Sequence, residues 1–297
     1  MNTSKTILLT FDVEEWFHTT FMTDYIDPHL FSVSRVMENL GFVLDLLQEF
    51  DITATFFVLG SLAEKIPDLV PMILEHNSSH EIASHSYDHV LLYEQSPEDI
   101  SMNVIRSREI LQKQSGQEVG GFRAPYFSIN DHAIEELAQN GYVYDSSLHD
   151  FRLNPQYGHL HVEMNATGSP GIFTYKNLFE LTIPVKRYFN NRLALPFGGG
   201  GYYRLYPLLL QKYWIDSFLK TSDYFMMYLH PWEFDPDQPY VRSVPAIKRM
   251  RHYIGIRRHL DKTRSLVRSL AQKGYTFSTV SGYLNKSHGI ALAASNK

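Results

Sequence analysis

Two histidines four residues apart, His85 and His89 in the run His-Ser-Tyr-Asp-His, are the residues of this sequence best suited to metal chemistry. Two imidazoles at this spacing can bind one divalent cation from the same face of a helix. The chain has 14 histidines, so spacing alone is weak evidence, and a second pair, His76 and His80, has only Asn and Ser between its members, which is typical of a loop. The other polar motifs of the chain distinguish the first pair.

A third metal ligand is expected where an apolar strand ends in the run Thr-Phe-Asp-Val-Glu-Glu-Trp, which contains Asp12, Glu14 and Glu15. Asp12 and Glu14 are two residues apart, so in an extended chain their side chains point the same way, while that of Glu15 points the other way. One of the first two can bind a cation while the other accepts a proton. Acidic capping of a loop is the alternative.

Three further polar motifs each follow a short apolar run. Arg123 precedes Pro125, whose fixed φ is a reproducible way to aim the backbone N–H of Tyr126 at an oxyanion. His230 stands where a buried strand ends and is a candidate general acid. Asp145 is a candidate to orient a catalytic histidine or to cap a helix. A structural turn at Pro125 and a hydrogen-bonded, non-catalytic His230 are the alternatives.

Aromatic side chains flank these motifs and are candidates to stack on the apolar face of a sugar, although core packing explains some of them equally well. They are Trp16, Phe17, Tyr126, Phe127 and Trp232. Four glycines, residues 198–201, precede Arg204 without the Gly-Lys-Ser/Thr ending of a phosphate loop, which excludes a nucleotide cradle. They form a flexible turn or allow the backbone to approach a sugar, with Arg204 as a substrate-binding candidate.

The elements that must position these residues alternate between apolar runs and amphipathic stretches. The predicted strands are Thr6–Phe11, Thr53–Leu59, Glu81–Ala83, Gly120–Phe122, Tyr142–Tyr144, Tyr224–Leu229 and Tyr275–Phe277, and the predicted helices are Val36–Phe50, Pro97–Lys113, Ile134–Asn140 and Ile256–Gln272. Repeated strand-then-helix units predict an α/β fold with a parallel sheet, open or closed into a barrel. Loops after parallel strands open on one face, so five distant segments are expected to converge on one site.

The length of 297 residues and the regular pattern favour one domain, residues 1–297, with an elaborated insertion at about 150–204 where four prolines interrupt the rhythm. The absence of cysteine excludes disulfides, thiolate ligands and a cysteine nucleophile. The net charge of −5 argues against a nucleic-acid partner. Residues 242–268 are nevertheless rich in Arg and Lys, as a solvated helix face or as a docking patch for an anionic substrate or carrier.

The sequence predicts a cytoplasmic protein, with any contact to the inner membrane peripheral. Asp12 ends the first apolar run too early for a secretory signal, and no apolar segment approaches the roughly 18 residues of a membrane span. The sequence does not reveal the oligomeric state.

Taken in order, the motifs TFDVE, HSYDH, RAPY and LHP resemble the polysaccharide deacetylase family, carbohydrate esterase family 4, also known for its NodB-homology domain. The resemblance covers roughly Thr6 to Phe277. It implies a distorted, seven-stranded (β/α) barrel and one divalent cation, usually zinc, with nickel, cobalt and manganese as alternatives.

The same resemblance implies roles for the residues at the predicted site. Asp12 would be the catalytic base, His85 and His89 metal ligands, and Glu14 the carboxylate ligand. Arg123 would orient Asp12, Tyr126 would donate its backbone N–H to the oxyanion, and His230 would be the acid.

Two departures from the family pattern stand out. The usual Asp-Asp pair is replaced by Asp12-Val13-Glu14, which shifts the carboxylate ligand by one position and lengthens it by a methylene. In the fourth motif Asp145 remains, but Leu148 stands where a second aspartate is expected, so this motif does not identify the residue that tunes His230. The combination of Phe-Asp-Val-Glu with a Gly-rich segment before Arg204 resembles deacetylases encoded with exopolysaccharide or O-antigen synthesis.

The resulting hypothesis is metal-dependent hydrolysis of an N-acetyl group on an amino sugar of a surface or exported polysaccharide, or of its precursor. A deformylase or cyclic amidohydrolase acting on another amide is one alternative, because the same machinery attacks any accessible amide. A catalytically silent carbohydrate-binding protein is the other, since either departure could disable the site.

Overall fold

A computed structural model describes residues 5–151, 154–189 and 193–290 of the chain. Its strands are β1 (Thr6–Val13), β2 (Thr55–Val58), β3 (Glu81–Ser84), β4 (Gly121–Phe122), β5 (Tyr144–Asp145), β6 (Asn165–Ala166), β7 (Ile172–Tyr175), β8 (Leu178–Leu181), β9 (Val185–Tyr188), β10 (Leu193–Pro196), β11 (Tyr224–Leu229) and β12 (Thr276–Ser278).

The helices lie mostly between these strands. They are α1 (Thr20–Thr23), α2 (Val36–Glu49), α3 (Gly60–Lys65), α4 (Leu69–His76), α5 (Pro97–Ser115), α6 (Asp131–Gln139), α7 (Gly200–Leu205), α8 (Leu208–Phe218), α9 (Ala246–Tyr253), α10 (His259–Gln272) and α11 (Val280–His288). Short 3₁₀ turns span Pro28–Ser32, Leu92–Glu94, Pro125–Phe127, Pro231–Phe234 and Ile256–Arg258. None of the helices in the described ranges has the length and apolar character that a membrane span requires.

Seven strands in the order β11-β1-β2-β3-β4-β5-β8 pair in parallel, which confirms the predicted α/β class and its mostly parallel sheet. Strands β7 and β6 continue the sheet beyond β8 in antiparallel pairing, and β12 pairs with β1. Strands β1, β2 and β11 are buried along their whole length, as expected for continuous apolar runs covered on both faces. All seven parallel strands end at the same edge of the sheet.

The segment predicted as an insertion contributes to the central sheet, because it contains β8. Farther along, Gly199 forms a parallel bridge with Tyr228 of β11, and a Cβ at Gly199 would lie only 1.7 Å from the Tyr228 carbonyl oxygen. The glycine run therefore permits a close backbone approach to the sheet, immediately before α7. The glycine run brings the chain from the segment predicted as an insertion back to the edge of the sheet where the polar motifs lie.

Two predicted helix starts differ from the structure for local reasons. Helix α6 begins at Asp131 instead of Ile134, because the Asn130 side chain accepts a hydrogen bond from the Ala133 N–H at 2.8 Å and caps the helix. The last long helix begins at His259 instead of Ile256. The intervening residues form a 3₁₀ turn after Gly255, which has a φ of 75°.

Candidate metal centre and active site

Glu14, His85 and His89 form a cluster just beyond the ends of β1 and β3. One ligand atom from each residue lies within 4.8 Å of the other two. His89 Nε2 lies 2.5 Å from Glu14 Oε2, and both side chains are nearly inaccessible to solvent. The structure thus brings Glu14 together with His85 and His89, which lie 71 and 75 positions after it in the sequence.

This cluster has the donor chemistry of a divalent cation site. His85 Nδ1 is 2.8 Å from the Arg123 carbonyl oxygen, which holds the proton on Nδ1 and leaves the lone pair of Nε2 for a metal. Burial lowers the pKa of His85 to about 4, so its imidazole is neutral at neutral pH. Burial alone would raise the pKa of Glu14, but His89 and His230 together lower it to about 2.

One buried atom of the cluster, His89 Nδ1, has no hydrogen-bond partner within the described residues. One carboxylate and two imidazoles suit zinc and its neighbouring divalent cations, and three protein ligands leave a coordination position open. The residues present therefore fit the metal that the sequence motifs imply.

The two histidines lie on a loop after β3, so the expectation that they share a helix face was wrong. Ser86 has a φ of 68°, which turns the chain directly after His85. The carbonyl groups of Ser86 and Tyr87 then accept hydrogen bonds from the N–H groups of Gly60 and Ser61, at 2.9 and 3.0 Å. The two histidines are therefore positioned by this turn and its backbone hydrogen bonds, and not by the periodicity of a helix.

Glu14, and not Glu15, belongs to the cluster. The Glu15 carboxylate points away and accepts hydrogen bonds from the Ser34 hydroxyl and the Arg35 N–H. The Trp232 indole N–H donates to Glu14 Oε1 at 3.0 Å and so orients the ligand from the opposite side.

Asp12 is oriented by Arg123, whose side chain is fully buried. Arg123 Nη1 donates to Asp12 Oδ1 at 2.7 Å and to the Thr10 hydroxyl at 2.8 Å, and its Nε donates to the Ser146 carbonyl at 3.1 Å. The second oxygen of Asp12 lies 3.9 Å from His230 Nε2. The proposed base and the proposed acid therefore stand side by side.

Glu233 contacts His230, a pairing that the sequence motifs did not identify. Glu233 Oε2 lies 3.1 Å from His230 Nδ1 and accepts the His230 backbone N–H at 3.0 Å, while Arg204 Nε donates to Glu233 Oε1 at 2.8 Å. Burial would lower the pKa of His230, but Glu233 and Glu14 raise it to about 9. His230 is thus protonated at neutral pH, as a general acid requires.

Asp145 does not orient His230. It lies in β5 opposite Glu180 of β8, and it hydrogen-bonds Glu180 and the Ser147 hydroxyl instead. A sequence signal for Glu233 did exist, because His230-Pro231-Trp232-Glu233 places Pro at the first and Glu at the third position of a helical turn.

Substitution of Glu233 by Gln is expected to slow turnover about 10–10²-fold without loss of the metal. The amide keeps the shape of the side chain but removes the charge that raises the pKa of His230 to about 9. His230 then loses its proton at lower pH than in the wild type, so the alkaline limb of the activity profile moves to lower pH. The pH dependence of acetate release measures this shift, with the exposed Glu163→Gln variant as control. An unshifted alkaline limb contradicts the role of Glu233.

The buried Asp145–Glu180 pair predicts a pH-dependent stability. Burial and the neighbouring Asp145 raise the pKa of Glu180 well above its usual 4.5, so the pair holds a proton in the folded state. A raised carboxyl pKa contributes stability that is fully present below the unfolded pKa and is lost as the pH rises through the folded one.

Glu180→Gln is therefore expected to raise the Tm at neutral pH and to give little gain near pH 4, since the amide keeps an acceptor for the Leu148 N–H. Each kcal/mol gained corresponds to about 2–4 °C. Calorimetric scans from acid to neutral pH, beside Asp145→Asn, measure the difference. A Tm change that is the same at every pH would show that the pair shares no proton.

A cavity of about 380 Å³ opens beside the cluster. Asp12, Glu14, His85, His89 and His230 line it, together with the expected stacking residues Tyr126, Phe127 and Trp232. Tyr126 has a φ of 54°, and its hydroxyl donates to the His18 carbonyl at 2.9 Å. Trp232 stacks on the His230 ring with a centroid distance of 5.4 Å.

Trp16 and Arg204 have other contacts than those expected. Trp16 is fully buried in a cluster of apolar side chains and does not line the cavity, so its ring offers no face to a sugar there. Arg204 lines the cavity, but its Nε is engaged by Glu233 and its Nη1 by the Ile254 carbonyl at 2.7 Å. The main contact of Arg204 is therefore with Glu233, the residue that contacts His230. Phe17 packs on Phe31 and Trp16.

His18 was not singled out from the sequence. It lines the cavity, and its ring stacks on that of His89 at a centroid distance of 5.3 Å. Its Nδ1 accepts the Glu15 N–H at 3.3 Å, and burial, together with His89, lowers its pKa to about 3. His18 follows no strand directly, so only the tertiary structure identifies it.

Comparison with known proteins gives two family matches that divide the chain. Residues 2–144 match the polysaccharide deacetylase family, and residues 146–285 match a domain of unknown function, DUF3473. The first segment contains Asp12, Glu14, His85, His89 and Arg123. His230, Glu233 and Arg204 lie in the second.

Curated relatives match about a third of this chain and less than half of their own length. A peptidoglycan-N-acetylglucosamine deacetylase of Listeria monocytogenes is 36% identical over 95 residues, which is 32% of this chain and 20% of that protein. A peptidoglycan-N-acetylmuramic acid deacetylase of Bacillus subtilis is 32% identical over 111 residues, 37% of this chain and 23% of that protein. A chitooligosaccharide deacetylase of Sinorhizobium fredii is 30% identical over 100 residues, 33% of this chain and 46% of that protein.

Solved structures match over most of the chain at low sequence identity, which bears on the fold alone. The carbohydrate esterase domain of a multidomain xylanase from the hindgut metagenome of Trinervitermes trinervoides is 17% identical with a TM-score of 0.50, covering 99% of this chain and 96% of that one. A pseudoenzyme of the same esterase family from Bacillus anthracis is 15% identical with a TM-score of 0.51, covering 94% and 65%. Residues 2–144 thus resemble the polysaccharide deacetylase family, and most of the chain shares its fold with these solved structures.

Proposed function

We propose that this protein is a metal-dependent carbohydrate N-deacetylase that acts on an amino sugar of a surface or exported polysaccharide, or on its precursor. The observation that carries the proposal is the convergence of Asp12, His230 and the Glu14–His85–His89 cluster on one cavity. The family match supports polysaccharide deacetylation, and the pattern shared with deacetylases of exopolysaccharide or O-antigen synthesis motivates the narrower substrate class.

The chain's own residues supply a base and an acid for amide hydrolysis. Asp12, held through Oδ1 by Arg123, takes a proton from the attacking water through Oδ2. His230, held at Nδ1 by Glu233, gives its Nε2 proton to the amine nitrogen as the C–N bond breaks. Acetate carries away the water oxygen, and the free amine keeps the proton.

Glu14, His85 and His89 would hold the cation, most consistently zinc, which when bound polarises the acetyl carbonyl and acidifies water. The left-handed turn at Tyr126 directs this segment into the cavity, where we propose that its backbone N–H binds the developing oxyanion. Trp232 and Phe127 offer apolar surface to the sugar ring.

Elemental analysis of the purified protein, combined with an acetate-release screen on N-acetylated chitooligosaccharides and peptidoglycan fragments, tests the proposal. We expect about one divalent cation per chain and release of acetate that stops with a chelator and returns with zinc. Preference for formamido sugars or ureides would favour the amidohydrolase alternative. Glycan binding with no metal and no acetate release would favour a catalytically silent carbohydrate-binding protein.

A further inference from the structure

One side of the cavity mouth is an exposed surface that combines apolar and cationic side chains. Leu205 at the end of α7 is 54% exposed, Met250 on α9 is 61% exposed, and both line the cavity together with Arg251. Ile247 lies three residues before Met250 on the same helix and is 79% exposed. We call Leu205, Ile247, Lys248, Met250 and Arg251 the basic apolar rim.

The rim belongs to the most cationic stretch of an otherwise acidic chain. Residues 242–268 contain nine of the chain's 27 Lys and Arg residues and one of its 32 acidic residues, while the whole chain has a net charge of −5. Among the described residues, seven of these cations form no ion pair with a carboxylate: Arg242, Lys248, Arg249, Arg251, Arg257, Arg258 and Lys262. The function proposed above uses none of the seven.

Four cations of the stretch have other partners. Lys262 and Arg249 donate to backbone carbonyl groups, and Arg264 and Arg268 form ion pairs with Glu49. The unpaired charge is therefore concentrated at and near α9, beside the apolar side chains of the rim.

Exposed apolar side chains are costly to leave in water, and the cations beside them favour a partner that also carries negative charge. A zwitterionic or apolar partner would bury Ile247 and Met250 but leave Lys248 and Arg251 uncompensated. A soluble polyanion would pair with the cations but leave the apolar side chains exposed. An anionic lipid surface satisfies both, because apolar side chains enter the headgroup region while Lys and Arg contact lipid phosphates.

We propose that the basic apolar rim docks the protein peripherally on an anionic lipid bilayer, with the cavity mouth facing the membrane. Met250 and Arg251 connect docking to the site, because they belong both to the rim and to the cavity lining. If the proposed deacetylation also holds, the sugar substrate is presented at a membrane surface. The docking itself does not rest on that reaction, and vesicle binding is measured without turnover.

Co-sedimentation of the whole chain with vesicles tests docking. We expect binding to vesicles of phosphatidylcholine mixed with phosphatidylglycerol, weak binding to phosphatidylcholine alone, and loss of binding at high salt. Lys248→Glu is expected to reduce the partition coefficient about fivefold or more, and Ile247→Asp comparably. The matched controls are Lys113→Glu and Met102→Asp on α5, exposed positions away from the rim that should bind like the wild type.

Ile247 does not line the cavity, so Ile247→Asp should release acetate from a soluble substrate at the wild-type rate. This readout separates a failure of docking from a failure of the proposed function. Equal vesicle binding by wild type and Ile247→Asp would overturn the inference, as would absence of binding to the anionic vesicles. Concentration-dependent dimers that Ile247→Asp abolishes, without vesicle binding, would assign the rim to a second copy of the chain and overturn it too.

Discussion

Asp12→Asn is expected to reduce the rate of acetate release by about 10²–10⁴-fold while the protein keeps its metal. The amide has nearly the same size as the carboxylate, and Asn Oδ1 can still accept the hydrogen bond that Arg123 Nη1 donates at 2.7 Å. It cannot accept a proton from water, because the basic oxygen beside His230 is gone. The measured quantities are kcat for acetate release and the metal content per chain.

The exposed Asp45→Asn variant is the control for this substitution, since it makes the same chemical change outside the site. Near-normal turnover by Asp12→Asn at full metal occupancy would show that another group acts as the base. A loss of metal together with activity would instead place Asp12 among the ligands.

His85→Ala is expected to abolish stoichiometric metal binding and to reduce acetate release by at least about 10³-fold, because Lewis-acid catalysis contributes several kcal/mol. The substitution removes one of the three ligand atoms that lie within 4.8 Å of one another. It also leaves the Arg123 carbonyl oxygen without its 2.8 Å partner. Elemental analysis after dialysis measures the loss.

His76→Ala is the matched control, because His76 belongs to the other histidine pair of the same spacing and is exposed at the end of α4. It should retain one cation per chain and full activity. A His85→Ala protein that binds the cation as tightly as the wild type would remove His85 from the metal centre.

Much of the sheet could be predicted from the sequence, because strands buried on both faces are continuous apolar runs. The predicted strand Tyr224–Leu229 matches β11 at both ends, and Thr6–Phe11 falls within β1. The contribution of β8 could not be predicted, since Leu178–Leu181 is short and lies in a proline-rich segment whose pairing with β5 depends on the tertiary fold.

The candidate site was predictable where a motif lies at the end of a strand, as with Asp12, Arg123 and His230. Parallel strands place such residues at one edge of the sheet whatever their distance in the sequence. Contacts that depend on side-chain direction were not predictable. The direction of the Glu233 side chain depends on its ion pair with Arg204, 29 residues earlier in the sequence. The direction of the Trp16 side chain depends on the apolar cluster around it.

Anomalous diffraction from crystals of the protein grown with zinc tests most directly whether Glu14, His85 and His89 bind one cation. We expect one strong anomalous peak within bonding distance of these three side chains, beside Asp12 and His230. A crystal without a peak at these three side chains, or with its zinc bound elsewhere in the chain, would contradict this expectation.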